Sequence, residues 1–458
     1  MGKKLFITGA IILILFGSIF LSTVFGSFLI SRVSPVRVAQ SQALMPIAYD
    51  AIPKSENMNS DAEEITNQLD TLQEEVIGIR HLMPDETIYR NMLSQPELRE
   101  RITDVWLADY TDEDIRRDTL VYALLGVIEP DFDLKGFIVD LYSEQIAGFY
   151  DGETKEMVVI QGGLFGGLER MTYAHEFTHL LQDQNYNFDE GLNLNDELYL
   201  DDMDAYVAIQ ALVEGDAVMT EYLWYQMYAT ADDQMDVQQF AQQMYTPVYD
   251  TAPWFIKNEL LYPYQFGLEF IHTIYVEQGW DGVEAVYANP PASTEQIMHP
   301  ERYLVDPPVT VSLSTLADTL PDDWEKIAGS SFGEGQLYLT LMNMQGGDTA
   351  DTVTIWEATK GWGGDQYQLY VQADTDEVIF VLKTQWDTED DAVEFMETFS
   401  VSAKQRWANV SDGDQITALD PNFGNVQMHR DVDSTYWIFA PNDASLNMIL
   451  NGLLLIRD

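Results

Sequence analysis

Between Leu168 and Gln184 the chain reads LERMTYAHEFTHLLQDQ, and this segment limits what the remainder can build. Its periodicity and strong helix formers predict a helix, and Tyr173, Ala174, Leu180 and Leu181 make that helix a buried one. The same helix carries His175, Glu176 and His179. Burying two imidazoles and a carboxylate demands polar partners or an ion, so the fold has to bring them here. A helix with two cationic or exposed histidines is the alternative, and the apolar flanks oppose it. His175 and His179 stand at i and i+4 on one helical face, where both rings reach one ion. Zinc would lower the pKa of a bound water to about 7, and Glu176 would take its proton during attack on a carbonyl.

A catalytic zinc needs a third protein ligand and an open position. No third histidine follows closely, and the next along the chain is His272. The helical stretch AIQALVEGDAVMTEY offers Glu214 among Leu212, Val213, Ala217 and Val218, a setting in which a carboxylate needs a partner. Glu221, two turns on, is the reserve ligand, and Asp216 and Asp183 are candidates to orient the imidazoles from behind. His175-Glu176-x-x-His179 followed by Glu214-Gly215-Asp216-Ala217 resembles the glutamate-ligand zincin metallopeptidases, the gluzincins. IAGFYDGETKEMVVI, YAHEFTHLLQDQNY, LVEGDA and PPASTEQIMHPERY are similar to segments of membrane-anchored or secreted bacterial zincins, over roughly residues 60–305.

The resemblance implies that two helices supply His175, His179 and Glu214 to zinc, with Glu176 as general base. It also implies that residues 145–160 supply an edge strand on which an extended peptide is laid; core packing would explain the same alternation. The Asn-Glu-x-x-x-Asp helix of the thermolysin branch is absent, since Val218 stands four residues after Glu214. For the oxyanion, Tyr264 in LLYPYQFGLEF and His299 in EQIMHPERY are the candidate donors. Packing on the following helix would equally explain Tyr264, and anchoring a Pro-rich turn would explain His299.

Composition narrows the chemistry further. With 23 Lys+Arg against 76 Asp+Glu, the net charge is −53, which leaves no basic footprint for nucleic acid. The chain has 46% hydrophobic and 12% aromatic residues, too many for general disorder. Its lack of cysteine excludes disulfides, thiolate metal sites and thiol nucleophiles, so any metal falls to His, Asp or Glu. Lys3, Lys4, Arg32 and Arg37 precede the first acidic residue, Asp50, and Leu5 to Ile30 is uncharged. As a helix that run would reach about 39 Å, more than the roughly 30 Å hydrocarbon core. It reads as a single transmembrane anchor within residues 1–31, with an extracytoplasmic remainder. Cleavage of a signal peptide near Ser41-Gln42-Ala43, giving a secreted protein, is the alternative.

The predicted architecture is α+β. A linker over residues 32–57 leads to a zincin-like domain over 58–305, mostly helical with a small edge sheet. A C-terminal α+β domain without recognisable chemistry fills 306–458. Ser60 and Glu63 read as a capping box for a helix carrying Ile65, Leu69, Leu72, Val76 and Ile79. A further helix is expected through Tyr122–Val127, a β-hairpin over 145–160, an acidic loop over 187–204 and a helix from Ala205 to Tyr228. Beyond residue 305 come β-like runs at Tyr367–Gln372, Val378–Thr384 and Tyr436–Ala440, with a helix at Glu389–Trp407. Gly361 to Asp365 is a Gly-rich turn without the helix that phosphate binding needs. Asp201, Asp202 and Asp204 read as solvated rather than as calcium ligands. The function expected is zinc-dependent hydrolysis of peptide or protein substrates. The alternatives are a non-catalytic binding protein on a zincin scaffold and a hydrolase of non-peptide amides.

Overall fold

The predicted spacing of Ile65, Leu69, Leu72, Val76 and Ile79 is realised in α1 (Ser60–Arg80), which turns that stripe inward against the two central helices of the molecule. The structure, a computed structural model, describes residues 10–14, 60–160, 165–243, 245–313, 316 and 318–455. The linker over 32–57 and the capping side chains of Ser60 and Glu63 lie outside what it describes.

Five further helices frame the N-terminal unit: α2 (Asp112–Leu124), α3 (Leu134–Gln145), α4 (Gly167–Tyr186), α5 (Met203–Met227) and α6 (Trp254–Ala288). The helix expected at Tyr122–Val127 is the end of α2, whose start is fixed by Thr111 accepting from the Asp114 N–H. The acidic stretch expected as loop contains a short helix, Asp196–Asp201, because the Asn195 side chain accepts from the amides of Glu197 and Leu198. α5 and α6 cross so closely that a Cβ on Gly215 would lie 2.1 Å from the backbone carbon of Gly267. This crossing explains the glycine that follows Glu214.

The expected hairpin is present as β3 (Ile146–Asp151) paired antiparallel with β4 (Glu156–Ile160), Gly148 facing Val159. Tyr89–Leu93 (β2) runs parallel to β4, and Ala10–Ile14 (β1) runs antiparallel to β3, giving a four-stranded sheet in which both hairpin strands are inner, so residues 145–160 do not supply the expected edge strand. Part of the uncharged run Leu5–Ile30 is thus extended where a membrane helix was expected. Its β-branched Ile11, Ile12 and Ile14 suit a strand, and β3 offers them an edge of unpaired backbone groups. The rest of that run lies outside the described residues, among which no helix is long and apolar enough to cross a membrane.

Past the short helix α7 (Thr294–Met298), a six-stranded antiparallel sheet forms from Trp324–Ala328, Trp362–Gln372, Val378–Trp386, Ser434–Ala440, Gly424–Asp431 and Gln415–Asp420, in that spatial order. It contains all three expected β-like runs. α8 (Gly333–Met344) and α9 (Glu389–Arg406) pack against it, α9 being capped by Thr388. Gly363 and Gly364 lie at and inside the start of a strand, where the Gly363 carbonyl accepts from the Val309 N–H and the Val309 carbonyl leaves no room for a Cβ on Gly364. The secondary structure changes character near residue 305, but the core does not stop there. Leu124, Phe255, Tyr262 and Met298 share one buried cluster with Phe332, Leu341, Trp362 and Phe380.

Candidate metal centre

α4 is buried from Met171 to Asp183, and its inner face carries His175, Glu176 and His179. α5 lies across it and brings Glu214 to the same point, so α4 and α5 together build the centre. His175 Nε2 and His179 Nε2 are 3.0 Å apart, and Glu214 Oε2 lies 3.2 Å from the first and 3.3 Å from the second. Each of these three side chains is at most 1% exposed.

The surrounding hydrogen bonds decide where the protons sit. The Gln182 amide nitrogen, 3.0 Å from the Val213 carbonyl and 2.9 Å from Asp216 Oδ2, must be the donor there. Its oxygen therefore faces His179 Nδ1 at 2.8 Å and accepts from it, which leaves His179 Nε2 with a bare lone pair. His175 Nδ1 lies 3.0 Å from Glu221 Oε2 and donates to that carboxylate. A lone pair, a second ring nitrogen and a carboxylate oxygen thus converge within 3.3 Å, an arrangement that repels unless a cation sits among them.

Burial alone would depress the His175 pKa, but its bonds to Glu214 and Glu221 outweigh burial and carry it up to about 10. Burial likewise works against ionised Glu214, yet His179 and His175 keep its carboxyl below the usual range. A bound cation would displace the His175 proton. The donor set, two imidazoles and one carboxylate whose outer bonds are already made, fits a borderline divalent ion.

Glu176 is held separately. Its Oε2 accepts from the Tyr150 N–H of β3 at 2.8 Å, and its Oε1 is buried without a hydrogen-bond partner among the described residues. Burial raises its pKa to about 7. β3 can approach this closely because Gly148 has no Cβ to press on Thr172. The result is a carboxylate with one anchored oxygen, near enough to His179, His175 and Glu214 for their charges to act on it.

Tyr264, on α6, stacks on His175 with ring centroids 6.1 Å apart and planes 28° from parallel, so the structure brings it to the centre. His299 goes elsewhere. Its Nε2 bonds Glu334 Oε1 at 2.9 Å and its ring packs on Trp356, in the seam between α7 and α8. Glu221, the reserve ligand, stands behind His175. Asp183 bonds the Tyr150 hydroxyl, Lys155 and the Phe188 N–H, and does not reach an imidazole. Asp216 acts one step further out, through Gln182.

Sequence reasoning did not assign Gln182 or Arg80. Gln182 was visible three residues after His179, on the same helical face. Arg80 carried no local signal. Fully buried at the end of α1, it bonds Asp216 through Nε at 2.8 and 3.0 Å, while the Tyr287 hydroxyl donates to Asp216 Oδ2 at 2.7 Å. Of the acidic trio read as solvated, Asp202 caps α5 and Asp204 is buried, holding Thr294. Glu295, Asp306 and Asp387 form another acidic cluster, with the Arg302 guanidinium already among them.

A family model described as a domain of unknown function (DUF8575) matches residues 323–450, the C-terminal sheet unit. No curated protein and no solved structure matches the chain.

Proposed function

We propose that this chain is a zinc-dependent peptidase in which His175, His179 and Glu214 hold the metal and Glu176 is the general base. The observation that carries the reading is the convergence of two imidazole nitrogens and a carboxylate oxygen on the helix that also carries Glu176, whose Oε1 has no hydrogen-bond partner among the described residues. Ligands at about 2.0–2.1 Å in a tetrahedron stand roughly 3.3–3.4 Å apart, close to the spacing of this set. The bound ion would polarise both a water and the scissile carbonyl. Glu176 Oε1 would take the proton from that water and pass it to the leaving amine, while the Tyr150 N–H keeps the other oxygen fixed. Tyr264, whose ring stacks on His175, would steady developing negative charge. The net charge of −53 supports an extracytoplasmic enzyme, which protease accessibility on intact cells would test.

Plasma emission spectroscopy of the full-length chain tests the centre. About one zinc per chain is expected in the parent and in Glu176→Gln, and far less in Glu214→Ala. Turnover of a fluorogenic peptide library should fall about 10²–10⁴-fold in Glu176→Gln. A parent that takes up no zinc after reconstitution, or a Glu176→Gln variant with full turnover, would overturn the proposal. One observation favours the second reading, a binding protein with a structural ion. His175, His179, Glu214 and Glu176 are all at most 1% exposed. That reading requires Glu176→Gln to change nothing.

A further inference from the structure

Between α3, α5, α6 and α8 lies a cavity of about 230 Å³ whose lining includes none of His175, Glu176, His179 or Glu214. Three carboxylates open on it, those of Asp118, Asp204 and Glu259. Asp118 already has a cation, Arg117, whose Nε lies 2.8 Å away. The other two differ. Glu259 accepts from the Tyr122 hydroxyl at 2.6 Å and from the Gln336 amide at 2.7 Å. Asp204, 2% exposed, accepts from the Thr294 N–H at 3.0 Å and from the Thr294 hydroxyl. These donors are neutral, and no Lys, Arg or His among the described residues pairs with either acid. Burial accordingly pushes both carboxyls above their usual range. A carboxylate taken out of water is ordinarily matched by a positive charge, and here the described chain supplies none.

The wall limits what could supply it. Among the described residues, the three acids do not gather within reach of one metal ion as the residues of the centre do. Around them stand Leu141, Leu260 and Leu339 with the rings of Tyr142, Tyr199 and Tyr206. Tyrosine faces attract a cation, and methylene groups pack on leucine. Tyr206 adds a hydroxyl that makes no hydrogen bond to another described residue, although the side chain is 8% exposed and lines the cavity. Glu259 and Asp204 both reach α8, at neighbouring positions. Glu259 meets Gln336, and Asp204 holds Thr294, whose hydroxyl accepts from the Gly335 N–H at 2.9 Å. Two acids without a cation, a short span and an apolar middle are the complement of a molecule with two ammonium heads. The net charge of −53 would draw such a dication towards the chain.

We propose that this cavity binds a short aliphatic diamine, with one ammonium on Glu259 and the other on Asp204. Its methylenes lie along the tyrosine and leucine wall, and the Tyr206 hydroxyl accepts from an ammonium N–H. This is a ligand site in addition to the metal centre, and it does not depend on the peptidase reading.

Isothermal titration calorimetry of the full-length chain tests this with propane-, butane-, pentane- and hexanediamine, and with butylamine and butanediol as controls. Salt is held at about 0.15 M, where the screening length is about 8 Å and loose surface binding is weakened. One diamine should bind per chain, the best of the series at least tenfold tighter than butylamine or butanediol. Glu259→Gln and Asp204→Asn should each weaken it tenfold or more, and Tyr206→Phe by a smaller factor. Leu339→Trp, which fills the cavity from α8, and Val207→Phe, which fills it from α5, should abolish binding. Melting curves identify a variant that has simply failed to fold. Glu214→Ala should keep the affinity, since the site holds no part of the centre. Equal affinity for butanediol or butylamine, or no binding by any diamine, would overturn the proposal whatever the variants do. So would several weak equivalents per chain that persist in a folded cavity-filling variant, which would mark a diffuse response to surface charge. Loss of binding in a folded Glu214→Ala variant would place the amine at the metal centre and overturn it as well.

Discussion

Each imidazole of the candidate centre takes its proton position from a neighbour behind it. His179 is set by Gln182, and Gln182 is set by the Val213 carbonyl and Asp216. Replacing Gln182 with Leu should therefore weaken zinc binding about 10–100-fold, read by competition against a chromogenic chelator, with the fold retained. An unchanged affinity would mean that α4 alone fixes the ring. On the proposed peptidase reading, Glu176 would set the pH response. Only its ionised form takes a proton, so turnover should rise with pH through an acid limb. Burial raises its pKa from 4.5 to about 7, and a bound cation favours the carboxylate. The limb should accordingly fall between those two values, and a rate that declines from pH 5 to pH 7 would contradict this role.

Among elements, α1 matters through its last residue. Arg80 and Asp216 are both fully buried, so removing one strands the other in a region without water. Arg80→Met should cost about 3–5 kcal/mol in urea denaturation, and Arg80→Met with Asp216→Leu should recover much of that loss. Additive losses in the double variant would show that the pair is not coupled. The crossing of α5 and α6 is equally demanding. A Cβ on Gly215 meets Gly267 backbone rather than a side chain that could turn away. Gly215→Ala should therefore separate the helices, costing about 1–3 kcal/mol or more and lowering zinc content with it.

For the whole molecule, charge and shared packing dominate. A net charge of −53 repels itself, so the melting temperature should rise with salt as the screening length shortens from about 30 Å at 0.01 M to about 10 Å at 0.1 M. A flat response by scanning fluorimetry would mean that the local ion pairs already neutralise the surface. The cluster that joins Phe255, Tyr262 and Met298 to Phe332 and Leu341 predicts that a chain ending at residue 305 does not unfold cooperatively. A sharp calorimetric transition in that fragment would show that the N-terminal unit stands alone.

Local rules were enough to read α4, α5, α9 and the β3–β4 hairpin, because periodicity, caps and turn residues act within a few positions of each other. They also pointed to His175, His179 and Glu214 as one group, through i,i+4 spacing and an apolar setting, and the structure brings these three side chains to one point. They did not place His299, which a distant Glu334 draws into the seam with α8, and they did not assign Arg80 or Gln182 as supports of the centre. They also missed the pairing of Ala10–Ile14 with β3, which depends on an edge that exists only once β3 and β4 have formed. Hydrogen-bond partners 136 residues apart, as Arg80 and Asp216 are, leave no mark on the sequence near either residue. Only the packing of α1 against α4 and α5 brings them together.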